Sequence, residues 1–296
     1  MRKDRMELSD RLSQEAFFAD VSYSQYDKDL HIQPHLSACY ENPKDMWNPR
    51  ERIASFLGTV TGKRIFDFGC GMGEEAMYFA KMGAEVHAMD LSPIGIEITK
   101  QRAKHNQLKV EARVGNVLDS GYPDGYFDLI HGIGILHHVG LDQGLREVQR
   151  LLKCGGRAAF LEHMSNSAVV DWFRSWMGGR ETVSNGLRLI NAARTVTEAK
   201  MRRDEFVKKW GANALMTLGY TNYEKPVTWK ECQTTVTKYG DGKLYCYSLL
   251  YRLRRLVPLL GKKPIRILDH AILSLLHPLR YYAGLAVICI EKGPIA

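Results

Sequence analysis

Residues 64–76 read Arg-Ile-Phe-Asp-Phe-Gly-Cys-Gly-Met-Gly-Glu-Glu-Ala, a short apolar run that leads into a glycine at every second position. Gly69, Gly71 and Gly73 are followed at once by an apolar helical pattern that stops at Gly83. This order predicts a strand, a glycine loop and a helix N-terminus. Glycine permits close approach of a ligand to the backbone, and the free N–H groups of a first helical turn favour a polar or anionic atom. A small ligand is therefore expected to lie against this loop.

The glycine loop on its own fits more than one cofactor. Gly71-x-Gly73-x-x-Ala76 satisfies the dinucleotide fingerprint, and Asp90 ends the next apolar strand, where a ribose-binding acid is expected. An oxidoreductase is therefore one interpretation, although no proton-relay arrangement accompanies these residues.

Further motifs follow the loop in a fixed order. They are Met89-Asp-Leu-Ser-Pro93, Tyr126-Phe-Asp-Leu-Ile130, Leu136-His-His-Val139 and Leu151-Leu-Lys-Cys-Gly-Gly-Arg157. With Asp67-x-Gly-x-Gly-x-Gly73 they resemble the class I S-adenosylmethionine-dependent methyltransferases over roughly residues 60–164. The resemblance implies S-adenosyl-L-methionine as cofactor and a small-molecule acceptor. It also implies an α/β fold, a doubly wound, mostly parallel, seven-stranded Rossmann-like sheet with an N-terminal lid and a helical insertion before the last strand.

The resemblance also assigns cofactor contacts. Gly69, Gly71 and Gly73 would lie under the methionine moiety with Asp67 near its amino group, and Asp90 would accept hydrogen bonds from the two ribose hydroxyls. The remaining predicted contacts are Leu91, Asn116, Val117, Gly132 and Tyr26. Asn116 stands where the family usually has an acid that accepts from the adenine amino group, and its carbonyl can still accept that bond. Tyr26, like Tyr23, Trp172 and Trp176, also offers an aromatic face to a cationic sulfonium or a flat acceptor.

Alternating apolar patterns divide the chain into four parts. The resemblance implies that these are an N-terminal lid (1–60), a cofactor-binding core (61–164), a helical acceptor-binding insertion (165–283) and the last strand with a tail (284–296). Strands are predicted at 64–68, 85–89, 110–114, 126–131, 157–161, 243–248 and 284–290, and helices at 74–82, 93–105 and 142–153. Ser92 and Asp142 are predicted to cap the last two helices.

Methyl transfer from a sulfonium is an in-line displacement, so a base is needed only when the acceptor carries a proton that must leave. Candidate bases lie at the carboxyl ends of the fourth and fifth strands: His137, His138, Glu162 and His163. No metal site is predicted, because two adjacent histidines lack a third ligand at fixed spacing. Cys39 with Glu162 and His163 also resembles the bicarbonate-binding residues of cyclopropane fatty acid synthases, but the tryptophan-containing glycine loop of those enzymes is absent. A non-catalytic binding subunit with a methyltransferase fold is a further alternative.

Composition and charge indicate a globular chain with one basic segment. The chain has 296 residues, of which 45% are hydrophobic and 25% charged. No apolar run reaches signal-peptide or membrane-spanning length, and the six cysteines form no Cys-x-x-Cys pair, so a cytoplasmic location is expected. Residues 248–280 hold seven Arg or Lys and one acid, which is +6 of the net +8. Leu and Ile, among them Leu275 and Leu276, recur there at helical spacing. Residues 248–283 are therefore predicted to form an amphipathic cover over a hydrophobic acceptor. A dimer face and peripheral membrane contact are alternatives, and no nucleic-acid partner is expected.

Overall fold

The computed structural model describes residues 12–13, 15–17, 19–20, 22–23, 30–164, 227–239, 241–249 and 262–293. Predictions that concern Tyr26, Trp172 and Trp176, or residues 165–226 and 250–261, fall outside this range. The strands are β1 (Arg64–Phe68), β2 (Glu85–Asp90), β3 (Val110–Val114), β4 (Phe127–Ile133), β5 (Leu152–His163), β6 (Lys243–Tyr247) and β7 (Leu285–Glu291). The helices are α1 (Pro34–Glu41), α2 (Pro49–Leu57), α3 (Glu74–Lys81), α4 (Pro93–His105), α5 (Leu136–Val139), α6 (Leu141–Leu151), α7 (Trp229–Val236) and α8 (Lys262–Leu275). Two 3-10 helices span Val117–Asp119 and His277–Tyr282.

All seven strands form one sheet in the order β3-β2-β1-β4-β5-β7-β6. Strands β1 to β5 pair in parallel, whereas β7 runs antiparallel to both β5 and β6. The predicted doubly wound, mostly parallel sheet is therefore confirmed. The carboxyl ends of β1, β2, β4 and β5 meet at one edge, which is where open α/β sheets bind their ligands.

The central strands are apolar on both faces because helices cover both sides of the sheet. In β1, Phe66 and Phe68 belong to one buried apolar cluster, whereas Ile65 belongs to the cluster on the opposite face. Such two-sided burial explains why β1 after Arg64 is an apolar run broken only by Asp67. Asp67 is itself buried at the end of the strand.

Element boundaries agree closely with the pattern near the glycine loop and less well around α6. Ser92 caps α4 as predicted, since its Oγ accepts from the Gly95 N–H at 2.9 Å. The prediction that Asp142 caps α6 is wrong, because the helix begins at Leu141 with Gly140 as its N-cap. Asp142 instead accepts from the Lys238 ammonium and the Tyr239 hydroxyl, each at 2.7 Å, and so ties α6 to the end of α7.

Strand β5 is longer than predicted and brings two predicted site residues into the sheet. It begins at Leu152 rather than at residue 157, and the helix that was predicted to reach residue 153 ends at Leu151. A register shift against β4 lies near its start, after which the pairing runs unbroken to Gly132 and Ile133. Glu162 and His163 are therefore held by backbone pairing with β7 rather than by a loop.

Candidate active site

The glycine loop folds back on the end of β2. The N–H groups of Gly69 and Cys70 both donate to the Met89 carbonyl at 3.0 Å, and the Gly71 N–H donates to Asp90 Oδ2 at 2.9 Å. Gly71 has a φ of +53°, and a Cβ placed there would lie 2.9 Å from the Tyr23 hydroxyl. Both the backbone conformation and the available space therefore require glycine at this position.

Asp90 is a buried carboxylate with both oxygens in use. Oδ1 accepts from the Ser92 N–H at 2.9 Å, and Oδ2 accepts from Gly71. Burial raises the pKa of Asp90 above its ordinary 3.8, although the two backbone donors oppose that shift. Each carboxylate oxygen can accept more than one hydrogen bond, so Asp90 retains capacity for hydroxyl donors of a ligand.

A group of buried polar atoms without partners lies beside the tip of β1. Among the described residues, Asp67 Oδ2, the Tyr40 hydroxyl and both ring nitrogens of His131 are buried and make no hydrogen bond. The atoms belong together, because Asp67 Oδ1 lies 3.6 Å from His131 Nδ1 and the Tyr40 and His131 rings are 6.2 Å apart. Leaving such groups unpaired is unfavourable, which favours a polar ligand or water between them.

The N-terminal segment contributes side chains to the same edge of the sheet. Asp20 Oδ1 accepts from the Ile94 N–H at 3.1 Å and from the Ser92 hydroxyl, so it serves the N-terminus of α4. Tyr23 lies against Gly71 and Gly95, and Glu15 Oε2 lies 3.7 Å from His138 Nδ1. Sequence reasoning missed Asp20 and Glu15, since a lone acid in a polar segment carries no signal of its distant partner.

Gly95 is a second residue that sequence reasoning missed. A Cβ on Gly95 would lie 2.7 Å from the Gly71 carbonyl oxygen and 3.0 Å from the Tyr23 ring. The glycine thus lets the first turn of α4 pack directly on the glycine loop. In the sequence, Gly95 lies within the predicted helix 93–105, and nothing in the pattern distinguishes it from an ordinary helical residue.

Glu162 and His137 form a buried pair at the carboxyl ends of β4 and β5. Glu162 has no exposed surface, and its Oε2 lies 2.8 Å from His137 Nδ1. Its Oε1 accepts from the backbone N–H groups of Ile135 at 2.9 Å and Leu136 at 2.7 Å. A carboxylate can only accept, so Nδ1 of His137 carries a hydrogen, and in the neutral ring Nε2 is the acceptor nitrogen.

The other two predicted histidines lie next to this pair. The His138 and His137 ring centroids are 4.2 Å apart, and those of His163 and His137 are 6.2 Å apart. The structure therefore gathers all four candidate bases within one group, although Glu162 is closed off by its hydrogen bonds.

A cavity of about 190 Å³ adjoins His163. Three neighbouring strands form the floor of the cavity: Leu285 of β7 pairs with His163 of β5 on one side and with Tyr247 of β6 on the other. Trp47, just before α2, and Pro49, its first residue, line the cavity on one side, and Arg266 and Asp269 line it from α8. Most of the lining is apolar, as in sites that hold small organic ligands.

Helix α8 covers this cavity differently from the prediction. Ile265 and Leu273 are buried, whereas Leu275 and Leu276 are 80% and 53% exposed and do not line the cavity. The expectation that these two leucines face the acceptor is therefore wrong. Leu and Ile lie on both the buried and the exposed side of α8, and sequence periodicity could not show which side packs against the rest of the protein.

The remaining predicted cofactor residues lie around the loop in ordinary structural roles. Asn116 Oδ1 accepts from the Leu118 N–H at 3.0 Å and starts the 3-10 helix that buries Val117. Gly132 has no room for a side chain, since a Cβ would lie 2.8 Å from both the Phe160 ring and the Phe68 carbonyl oxygen. Leu91 is half-buried after β2. Cofactor contact by Leu91, Asn116, Val117, Gly132 and Tyr26 stays a prediction.

Cysteines and metal ligands add no further centre in the described part of the chain. All six cysteines are free thiols, and burial raises the pKa of Cys70 well above its ordinary value, so that thiol stays protonated. No three His, Cys, Asp or Glu residues of the described segments are placed to hold a metal ion. Cys39 Sγ accepts from Asn48 Nδ2 at 3.3 Å. None of the described helices is long and apolar enough to cross a bilayer.

A known protein family matches the part of the chain that contains the glycine loop. Residues 65–156 match the family model described as a methyltransferase domain. This match and the seven-stranded Rossmann-like sheet support a class I S-adenosylmethionine-dependent methyltransferase domain over these residues.

Relatives and solved structures agree with that assignment. The demethylmenaquinone methyltransferase of Tropheryma whipplei is 34% identical over 114 residues, 38% of this chain and 47% of the relative. The fatty-acid O-methyltransferase of Mycolicibacterium smegmatis is 31% identical over 119 residues, 39% of this chain and 43% of the relative. The chain thus spans about half the length of the curated relatives it matches. A geranyl diphosphate C-methyltransferase from Streptomyces coelicolor A3(2), solved with Mg²⁺, geranyl diphosphate and S-adenosyl-L-homocysteine, has the same fold at a TM-score of 0.53 and 14% identity, over 95% of this chain and 98% of that one.

Proposed function

We propose that this chain transfers the methyl group of S-adenosyl-L-methionine to an oxygen, nitrogen or carboxylate of a small, largely apolar acceptor. The observation that carries the proposal is the adjacency of two sites at one sheet edge. The glycine loop and Asp90 follow β1 and β2, and the apolar cavity beside His163 follows β5. The His137–Glu162 pair, at the ends of β4 and β5, stands next to that cavity.

The residues around the loop fit the proposed cofactor. The glycines leave space for the methionine moiety, and the unpartnered Asp67 Oδ2 is an acceptor for its ammonium group. Asp90 can accept from two neighbouring ribose hydroxyls, and the Asn116 carbonyl can accept from the adenine amino group. When bound, S-adenosylmethionine supplies a methyl group on a positively charged sulfur, which is open to attack by a nucleophile.

His137 is the residue proposed to take a proton from the acceptor. Glu162 fixes its ring with the hydrogen on Nδ1, which makes Nε2 the proton-accepting nitrogen of the neutral ring. Glu162 is a positioning residue in this proposal, because it is fully buried and makes three hydrogen bonds within the protein. His163 lines the cavity and is proposed to contact the acceptor, with His138 as the neighbour of the base.

The apolar walls of the cavity support a hydrophobic acceptor. Trp47, Tyr247 and Leu285 offer apolar surface, and Arg266 and Asp269 are the polar groups that could fix its orientation. The names of the quinone and fatty-acid methyltransferase relatives are consistent with such molecules. The N-terminal residues are proposed as a lid, 165–283 as the acceptor-binding region, and the cytoplasm as the location.

Calorimetry with the purified protein tests the proposal at the cofactor. S-adenosylmethionine and S-adenosylhomocysteine should bind, whereas nicotinamide dinucleotides should not. Asp90→Ala removes the proposed ribose acceptor and should weaken binding by about 2 kcal/mol or more. Unchanged affinity in that variant contradicts the cofactor assignment.

A screen with a radiolabelled methyl donor then tests catalysis. Apolar phenols, carboxylic acids and amines are offered in turn, and transfer to none of them by a protein that binds the cofactor favours a non-catalytic binding role. His137→Ala should lower turnover about a hundredfold or more at unchanged cofactor affinity, with His138→Ala as the matched control. Near-normal turnover in every variant of the four candidate bases means that the acceptor attacks unaided.

A further inference from the structure

Exposed apolar side chains are concentrated on one segment of the structure. Among the described residues, seven large hydrophobic side chains are exposed, and six of them lie between residues 267 and 282: Ile267, Leu268, Leu275, Leu276, Tyr281 and Tyr282. They lie on α8, at the N-cap Leu276 and in the 3-10 helix that follows it. A cluster of this kind on a folded chain marks an interaction surface.

The outward face of α8 is uncharged after its first turn. Lys263 and Pro264 are exposed in that turn, and the exposed positions that follow are Ile267, Leu268, Ala271, Ser274 and Leu275. Ile265 and Leu273 are buried in the protein. Apolar residues therefore lie on the exposed side of the helix as well as on its buried side, while Arg266, Asp269 and His270 lie among them. The buried side packs in the fold, and the exposed apolar side is available to a partner.

Positive charges border this apolar face. Lys263 is exposed at the start of α8, and Arg280 lies after its end with Nε donating to the Leu273 carbonyl at 2.8 Å. The single acid of the segment, Asp269, is buried on the cavity side. The charges within 262–282 are Lys262, Lys263, Arg266 and Arg280 against Asp269, a net charge of +3.

This charge distribution decides between two partners. A second copy of the chain would meet the same face in a two-fold interface, which would bring the basic residues of the two copies together. An anionic lipid surface instead takes the leucines among its acyl chains and pairs the cations with headgroups. The tyrosines at 281 and 282 suit the boundary of such a surface, because they combine an apolar ring with a polar tip.

Helix α8 also connects this face to the proposed acceptor cavity. Arg266 and Asp269 line the cavity, and the Lys263 ammonium lies 5.7 Å from the ring of Trp47, another lining residue. A helix of 14 residues is about 21 Å long, too short to cross a bilayer, so it would lie in the plane of the surface.

We propose that the outward face of residues 262–282 docks on an anionic membrane surface, and that the acceptor enters the cavity from that surface. The acceptor would then be a membrane-resident lipid. The second part rests on the proposed function, whereas the docking itself does not.

Flotation with lipid vesicles tests the docking. The full chain should float with vesicles of mixed phosphatidylcholine and phosphatidylglycerol, bind pure phosphatidylcholine vesicles at least tenfold more weakly, and be released by high salt. Leu268→Ser combined with Leu275→Ser should reduce binding at least tenfold. Val114→Ser is the matched control, because Val114 is as exposed as Leu268, 52% in both, but lies on β3.

Cofactor calorimetry on the same samples separates this inference from the proposed function. Absence of vesicle binding by a protein that still binds S-adenosylmethionine overturns the docking and leaves the methyltransferase proposal intact. Light scattering tests the alternative partner, a second copy of the chain. If the protein is a dimer that the double serine substitution dissociates, and it does not bind vesicles, the face is a dimer interface and the inference is overturned. Vesicle binding without cofactor binding upholds the docking and overturns the proposed function.

Discussion

Replacing Glu162 tests whether a buried carboxylate organises the proposed active site. Its two oxygens accept from three donors: the backbone N–H groups of Ile135 and Leu136 and the ring N–H of His137. Glu162→Ala leaves all three donors buried without an acceptor. At about 1–3 kcal/mol for each of the three unsatisfied donors, the free energy of unfolding should fall by about 3–9 kcal/mol. That loss is a large part of the total stability of an ordinary domain.

Glu162→Gln separates stability from chemistry. The glutamine Oε1 can still accept from the two backbone N–H groups, but its amide nitrogen donates where Oε2 accepted. His137 Nδ1 must then become an acceptor, which moves the ring hydrogen to Nε2 and removes the basic site there. The free energy of unfolding should fall by only about 1 kcal/mol, whereas turnover should fall about a hundredfold or more.

Urea denaturation measures the first effect, and initial rates at saturating acceptor and cofactor measure the second. Calorimetry with S-adenosylmethionine provides the control, since the glutamine keeps both backbone hydrogen bonds of Glu162 and cofactor affinity should therefore hold in that variant. The reasoning is refuted if the alanine variant unfolds within about 1 kcal/mol of the parent protein, because three buried donors cannot lose their acceptor at so small a cost.

Four further predictions concern the loop, the cavity and the surface. Burial raises the pKa of Asp90 above 3.8, so affinity for S-adenosylmethionine should fall as the pH drops through that raised value. The loss should begin at a higher pH than an ordinary aspartate would give, and a calorimetric pH series measures it. Gly95→Ala places a Cβ 2.7 Å from the Gly71 carbonyl and should weaken cofactor binding, whereas Gly293→Ala, in open space, should have no effect on the same titration. Trp47→Ala should raise the acceptor KM and leave the cofactor KM unchanged, and equal changes in both would remove Trp47 from the acceptor site. Hydrogen bonds from Lys238 and Tyr239 lower the pKa of Asp142 from 3.8 to about 2. The contribution of this carboxylate to stability is therefore present above about pH 4 and is lost as the pH falls towards 2. The melting temperatures of the parent protein and of Asp142→Asn should converge over that range.

The local pattern of the chain was sufficient for the part of the fold next to the loop. Residues 64–68 and 93–105 have the predicted bounds, because strand burial, glycine punctuation and the Ser92-Pro93 helix start all depend on neighbouring residues. The same reasoning failed at Asp142, whose side chain has partners almost a hundred positions away.

The sheet class, the glycine loop and the set of polar residues at the strand ends could be predicted from the sequence alone, since each depends on a short local pattern of residues. Only the tertiary structure decided how those residues are joined. Glu162 meets His137 because β5 pairs with β4, and Asp20 reaches the start of α4 from 74 positions away. The orientation of α8 is the third case, because apolar residues lie on its buried and on its exposed side, and only packing in the fold selects which of them are buried. Contacts between residues far apart in the chain leave no period in the sequence, and for that reason the folded chain alone specifies them.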